Sequence, residues 1–165
     1  MKYNRFGELP VWRAAIEVAV SAYKLTTKSE FKGQYSLRDQ LERAAVSVSN
    51  NIAEGFERGT TPELLTFLYI ARGSSGEVRS MLCLLERLPA FADLKFEISD
   101  LKEKAEGVSR QLRAWANSLQ NSEIKGQRYL NDKSRRADQQ KKDREEFMEQ
   151  FRRAQAANIE SSRKK

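Results

Sequence analysis

"SVSNNIAEGFER", Ser47 to Arg58, ends an amphipathic run that begins at "LRDQLERAAV" and carries residues a core-facing helix usually avoids: two adjacent asparagines and a glycine. Side-chain amides compete with the backbone for hydrogen bonds, and Gly costs about 1 kcal/mol against Ala in a helix interior. The apolar pattern nevertheless continues straight through, at Leu37, Leu41, Ala44, Val48, Ile52 and Phe56. The spacing therefore predicts one unbroken helix, roughly Ser36 to Arg58, whose Asn50, Asn51 and Gly55 must be accommodated by what packs against them. Ser36 is a candidate N-cap and Gly33 a break before it.

Working outward, the same period predicts three more helices. One runs from Leu9 to Thr27 with the stripe Trp12, Ile16, Ala19 and Tyr23. Another starts at "TTPE", where Thr61 can cap, Pro62 suits the first helical position and Glu63 favours the positive helix end. Its stripe is Leu64, Leu68, Ala71, Ser75, Val78, Leu82 and Leu85, and it stops near Pro89. The last runs from about Asp93 to Ser118 with Leu94, Ile98, Leu101, Ala105, Val108, Leu112, Trp115 and Leu119. In the last two, the gaps alternate four and three, the a/d pattern of bundles. Helices of about 30–40 Å joined by short connections predict an all-α, up-down-up-down four-helix bundle over residues 1–121, with a C-terminal extension over 122–165.

The second and third helices both thin their side chains in mid-course. Ala44, Ala45, Ser47, Ser49, Ala53 and Gly55 lie on one; Ala71, Gly73, Ser74, Ser75 and Gly76 lie on the other. Facing small residues let two backbones approach closely. That places hydroxyls and backbone groups within reach of Asn50 and Asn51, and a buried amide left unpaired costs about 1–3 kcal/mol. The asparagines thus read first as a structural device that fixes helix register. "RGSSGEVR", Arg72–Arg79, has the wrong glycine spacing for a phosphate loop and lies within a helix.

Composition narrows the chemistry. The chain has no His and a single Cys, Cys83. This excludes a disulfide within the chain, argues against a protein-built zinc site, and removes Ser–His and Cys–His catalytic pairs. No cofactor or metal is expected, and no catalytic residue. The longest aliphatic run is "MLCLL", far short of the roughly 20 residues of a spanning helix, and "MKYNRFGELP" lacks a signal-peptide core. A cytoplasmic protein without membrane contact is expected.

The net charge of +7 is uneven. Residues 1–121 hold 17 Lys/Arg and 15 Asp/Glu, a balance of +2; residues 122–165 hold 13 and 8, a balance of +5. Excess positive charge favours polyanions, chiefly RNA or DNA. Candidate phosphate contacts are Arg135, Arg136, Lys141, Lys142, Arg152 and Arg153 in the extension, and Arg72 and Arg79, seven apart on one face of the third helix. Tyr129 could stack on a base. Phe147, Phe151 and Ala154 recur at helical spacing and could instead dock on a protein.

"YSLRDQLERAAVSVSNNIAEGFER" followed by "ELLTFLYIARGSSGEVRSML" resembles the four-helix-bundle family encoded within 23S rRNA intervening sequences, which includes the accessory variability proteins of diversity-generating retroelements. The resemblance rests on Leu37, Gln40, Leu41, Arg43, Ser47, Asn51, Ile52, Ala53, Glu54 and Gly55, then Gly73, Ser74 and Glu77, and covers about residues 7–120. It implies a homopentamer with a central channel, no known enzymatic activity and, for the retroelement branch, binding to a reverse transcriptase and nucleic acid. Apolar residues outside the main stripes, Val11, Val18, Leu65, Phe67, Leu84 and Phe91, are the expected assembly surface. Two function classes follow: an oligomeric nucleic-acid-binding scaffold, or a protein-interaction module whose tail recruits a partner. An enzyme ranks far behind, since nothing organises Glu54 and Glu77 into a site.

Overall fold

The computed structural model of the chain describes residues 3–121, 140, 143–149 and 151–152. The chain divides into two units, Met1–Arg128 and Tyr129–Lys165. The first holds four long helices: α1 (Pro10–Thr26), α2 (Tyr35–Glu57), α3 (Thr61–Leu85) and α4 (Lys95–Gln120). α2 packs on α3, α3 on α4, and α1 against both α2 and α4, so each helix has two neighbours around a shared core. The fold is all-α, with no β-strand among the described residues.

The helix boundaries show how each end is made. Gly33 adopts φ +82°, a left-handed conformation that Gly tolerates without strain, and α2 begins two residues later. Ser36 lies inside that helix and does not cap it; Gln34 is the N-cap residue, without a side-chain bond. At α3 the cap is Thr60 rather than Thr61: the Glu63 amide donates to Thr60 Oγ1 at 3.4 Å, and the two side chains bond in return at 2.5 Å. This is a side-chain N-cap, shifted by one residue from the sequence expectation, with Pro62 in the second helical position. α4 starts later than predicted because residues Pro89–Leu94 form a short 3-10 turn.

The core-facing side of α1 is also displaced from its predicted stripe. Ala19 of the predicted stripe is buried, together with Val11, Ala15, Val18, Ala22 and Leu25, whereas Trp12 and Ile16 are half-buried and Tyr23 is exposed. α1 is apolar on two faces, and the bulkier residues define the outer one. The inner face uses alanines because close packing leaves little space there. Three of the six residues expected on an assembly surface, Val11, Val18 and Phe91, belong to the core instead. Leu65 and Phe67 are half-buried, and only Leu84 is exposed. Phe91 packs edge-on against Phe31, centroids 4.8 Å apart, where the α1–α2 and α3–α4 connections meet at one end of the bundle.

In the second unit residues 143–149 are helical. Phe147 and Phe151 are exposed, with ring centroids 6.4 Å apart and planes 19° from parallel.

Candidate functional site

The α2–α3 seam answers the question raised by the asparagines and glycine of α2. A Cβ placed on Gly55 would stand 2.6 Å from Phe67 Cβ and 3.2 Å from Leu64 Cδ1. Glycine is therefore required where α2 crosses the first turns of α3. Below it, a polar chain ties the helices. Asn51 Nδ2 donates to the Ser47 carbonyl at 2.7 Å and to Ser47 Oγ at 3.0 Å. The Ser47 and Ser74 hydroxyls lie 2.9 Å apart, and Ser74 Oγ donates to the Ile70 carbonyl at 3.2 Å. Since the Ser74 proton is committed to Ile70, Ser47 donates to Ser74 while accepting from Asn51. A second crossing bond, Ser75 Oγ to the Ala105 carbonyl at 2.8 Å, joins α3 to α4 within the core. The sequence places Ser75 on an apolar stripe, and its small size was the visible signal of this close approach.

Asn51 thus holds a strut rather than filling a vacancy. In Asn51→Ala, Ser47 keeps both Ser74 and its helical backbone bond, so no buried partner is orphaned. The expected cost is the net value of the lost bonds, about 1 kcal/mol, partly offset by the better helix propensity of Ala. Chemical denaturation of the full chain measures this, and a loss above about 3 kcal/mol would show that Asn51 bonds are buried more deeply than this geometry places them.

The two asparagines differ. Asn50 is exposed and opens, with Gln40, Arg43 and Ser47, onto a cleft of about 910 Å³ along the outer side of α2. Tyr23 of α1 forms one wall, and Glu77, Ser80 and Met81 of α3 form the other. Glu54 is not part of it: its carboxylate pairs with Arg58 at 2.7 Å, near the end of α2. That hydrogen bond and the Glu54 charge raise the Arg58 pKa above its ordinary value. The Arg58 guanidinium also lies 5.2 Å from the centroid of Phe67. Glu54 and Glu77 therefore do not line a common site.

The candidate phosphate contacts fall in different settings. Arg79 forms an ion pair with Glu106 of α4. Arg72, half-buried, makes no ion pair among the described residues. Arg152 is exposed. Tyr129, Arg135, Arg136, Lys141, Lys142 and Arg153 lie outside the described residues. Gly73 is exposed, and a Cβ there would meet nothing within 4 Å, so it does not serve the helix contact predicted for it. Its neighbour Ser74 does. Among the described residues no group of three or more His, Cys, Asp or Glu could hold a metal ion, and no helix is long and apolar enough to cross a membrane.

Four helices clasped by a hydroxyl–amide strut and a glycine crossing define a compact helical-bundle protein whose signature residues lie along one seam. The family model of 23S rRNA-intervening sequence proteins matches residues 7–114, a span that includes all of that seam, and the chain belongs to this family. No curated protein matches the chain.

Proposed function

We propose that the protein is a non-enzymatic, oligomeric scaffold that binds RNA or DNA mainly through its basic extension. One observation carries this reading: residues 122–165 concentrate +5 of the net +7. The bundle is nearly neutral, and six of its cations are already paired, Lys28 with Glu97, Arg38 with Glu42, Arg58 with Glu54, Arg79 with Glu106, Lys102 with Glu86 and Lys104 with Asp100. Paired cations release few counterions, so the extension dominates polyanion affinity. Self-assembly, as a homopentamer in the family resemblance, is supported by the second apolar face of α1 and by exposed Tyr69, Ile70, Leu84 and Phe96. A ring would multiply the extension's charge by its subunit number. A reverse transcriptase is the enzyme such a scaffold serves in the retroelement setting.

The test is filter binding of single-stranded nucleic acid at several salt concentrations. It compares the wild-type chain with a variant in which Arg135, Arg136, Lys141, Lys142, Arg152 and Arg153 are all Gln. Counterion release gives a log–log slope of about −0.7 for each neutralised phosphate, so the variant's slope should flatten by up to about 4 per subunit. Equal binding by both proteins would remove the extension from the interface. It would favour the second reading, in which exposed Phe147, Met148 and Phe151 dock on a protein partner. No binding by either protein at low salt would end the nucleic-acid reading.

A further inference from the structure

Asn50 and Gly73 both weaken the helices that carry them, and the bundle does not use either one. Asn50 is exposed in mid-helix with no side-chain hydrogen bond among the described residues, and Gly73 is exposed with open space where a Cβ would stand. Gly73 lies one helical turn before Glu77, and Asn50 and Glu77 line the same cleft. Arg43 also lines it. Neither Arg43 nor Glu77 forms an ion pair among the described residues. The floor is low because Ala44 and Ser47 are small, and Tyr23 stands 45% exposed at the α1 wall. Unspent polar groups, helix-weakening residues and a hollow of small-molecule size therefore coincide on one surface.

We propose that this cleft is a base-reading site for unstacked nucleotides of a single-stranded nucleic acid. The inference rests on the nucleic-acid reading above and assigns it a second element. The Asn50 and Gln40 amides each present a donor and an acceptor, the combination that matches base edges. Glu77 accepts from an exocyclic amine. Arg43 meets the adjoining phosphate, and the Tyr23 ring offers a stacking surface. Arg43 is the single phosphate contact of the cleft, so the cleft contributes only a small part of the salt-dependent affinity. Attraction and reading are divided: the extension holds the strand by its phosphates, and the cleft discriminates its bases. Adenine and cytosine carry the amine that Glu77 requires, and uracil does not.

Fluorescence anisotropy of the full chain with short labelled oligo(A), oligo(C) and oligo(U) RNA, at several salt concentrations, tests this. The amine-bearing strands should bind about tenfold more tightly than oligo(U). In the double variant Asn50→Ala/Glu77→Gln the three affinities should converge to within about twofold, with the salt slope unchanged. Arg43→Gln should flatten the slope by about 0.7. Equal wild-type affinity for all three strands overturns the base-reading site and leaves the scaffold reading standing. Retained discrimination in the double variant overturns it as well. Gel filtration separates one further case: a double variant that loses its assembled size but keeps its discrimination marks the cleft as a subunit contact and overturns the proposal. Absence of any binding at low salt overturns both readings together.

Discussion

Gly55→Ala should destabilise the bundle even though alanine is the better helix former. The new methyl would stand 2.6 Å from Phe67 Cβ, an atom fixed to the α3 backbone, so relief requires the two helices to part. Leu64, whose Cδ1 and carbonyl lie 3.2 and 3.4 Å from the same point, is fully buried and cannot swing aside. Overpacking of this kind costs about 1–3 kcal/mol, against a gain of about 1 kcal/mol from propensity. The net effect of Gly55→Ala is a loss of up to about 2 kcal/mol. Gly55→Val adds two methyls and a stiff χ1, and should lose more than about 3 kcal/mol. Gly73→Ala provides the control of opposite sign. Its Cβ meets nothing, so stability should rise by up to about 1 kcal/mol. Urea denaturation at one fixed protein concentration measures all three. If Gly55→Ala is as stable as wild type, the close crossing of α2 and α3 does not constrain the fold.

Two glycines that look alike in sequence thus act differently, and this marks where reading the chain alone stops. Periodicity located all four helices within a few residues, because long amphipathic segments leave a repeated signal. It also identified Gly55 and Ser74 as packing residues. It could not separate Gly55 from Gly73, since that difference depends on whether a facing side chain occupies the space. Nor could it separate Asn51 from Asn50. Adjacent residues on a helix point about 100° apart, and only the position of Ser74 shows which one joins the strut. The displaced stripe on α1 has a related cause. Hydrophobicity weights Trp12, Ile16 and Tyr23 above Ala15 and Ala22, yet a tightly packed interior takes the small residues and leaves the bulky ones half outside.

The candidate site was legible only in part. Gln40, Arg43 and Glu77 were visible as members of a family pattern, but their convergence on one cleft requires the α2–α3 register, which the serine strut defines. Arg79 looks available for a phosphate in the sequence because its partner, Glu106, is 27 residues away on another helix. An ion pair across a bundle leaves no local trace in the chain. Tyr23 looks like a core residue in the sequence for the same reason as Trp12 and Ile16.

Phe91→Ala should be among the most damaging single substitutions in the bundle. Phe91 lies in the 3-10 turn before α4, outside every apolar stripe, which made it look like surface in the sequence. In the fold it is only 1% exposed and meets Phe31, 3% exposed, in an edge-to-face contact with planes at 64°. Phe31 belongs to the α1–α2 connection and Phe91 to the α3–α4 connection, so this one contact closes an end of the bundle. Truncating a buried Phe to Ala costs about 3–5 kcal/mol through lost burial and the cavity left behind. An aromatic pair adds about 0.5–1.5 kcal/mol of mutual stabilisation, which the cycle Phe31→Ala, Phe91→Ala and the double variant should recover as coupling. Glu103→Ala, at an exposed position of α4, should change stability by no more than about 0.5 kcal/mol. The expected pattern in denaturant is a large fall in midpoint for Phe91→Ala with an unchanged m-value. If Phe91→Ala instead leaves subunit stability intact and reduces the assembled size, Phe91 belongs to an interface between copies, and the bundle closes at that end without it.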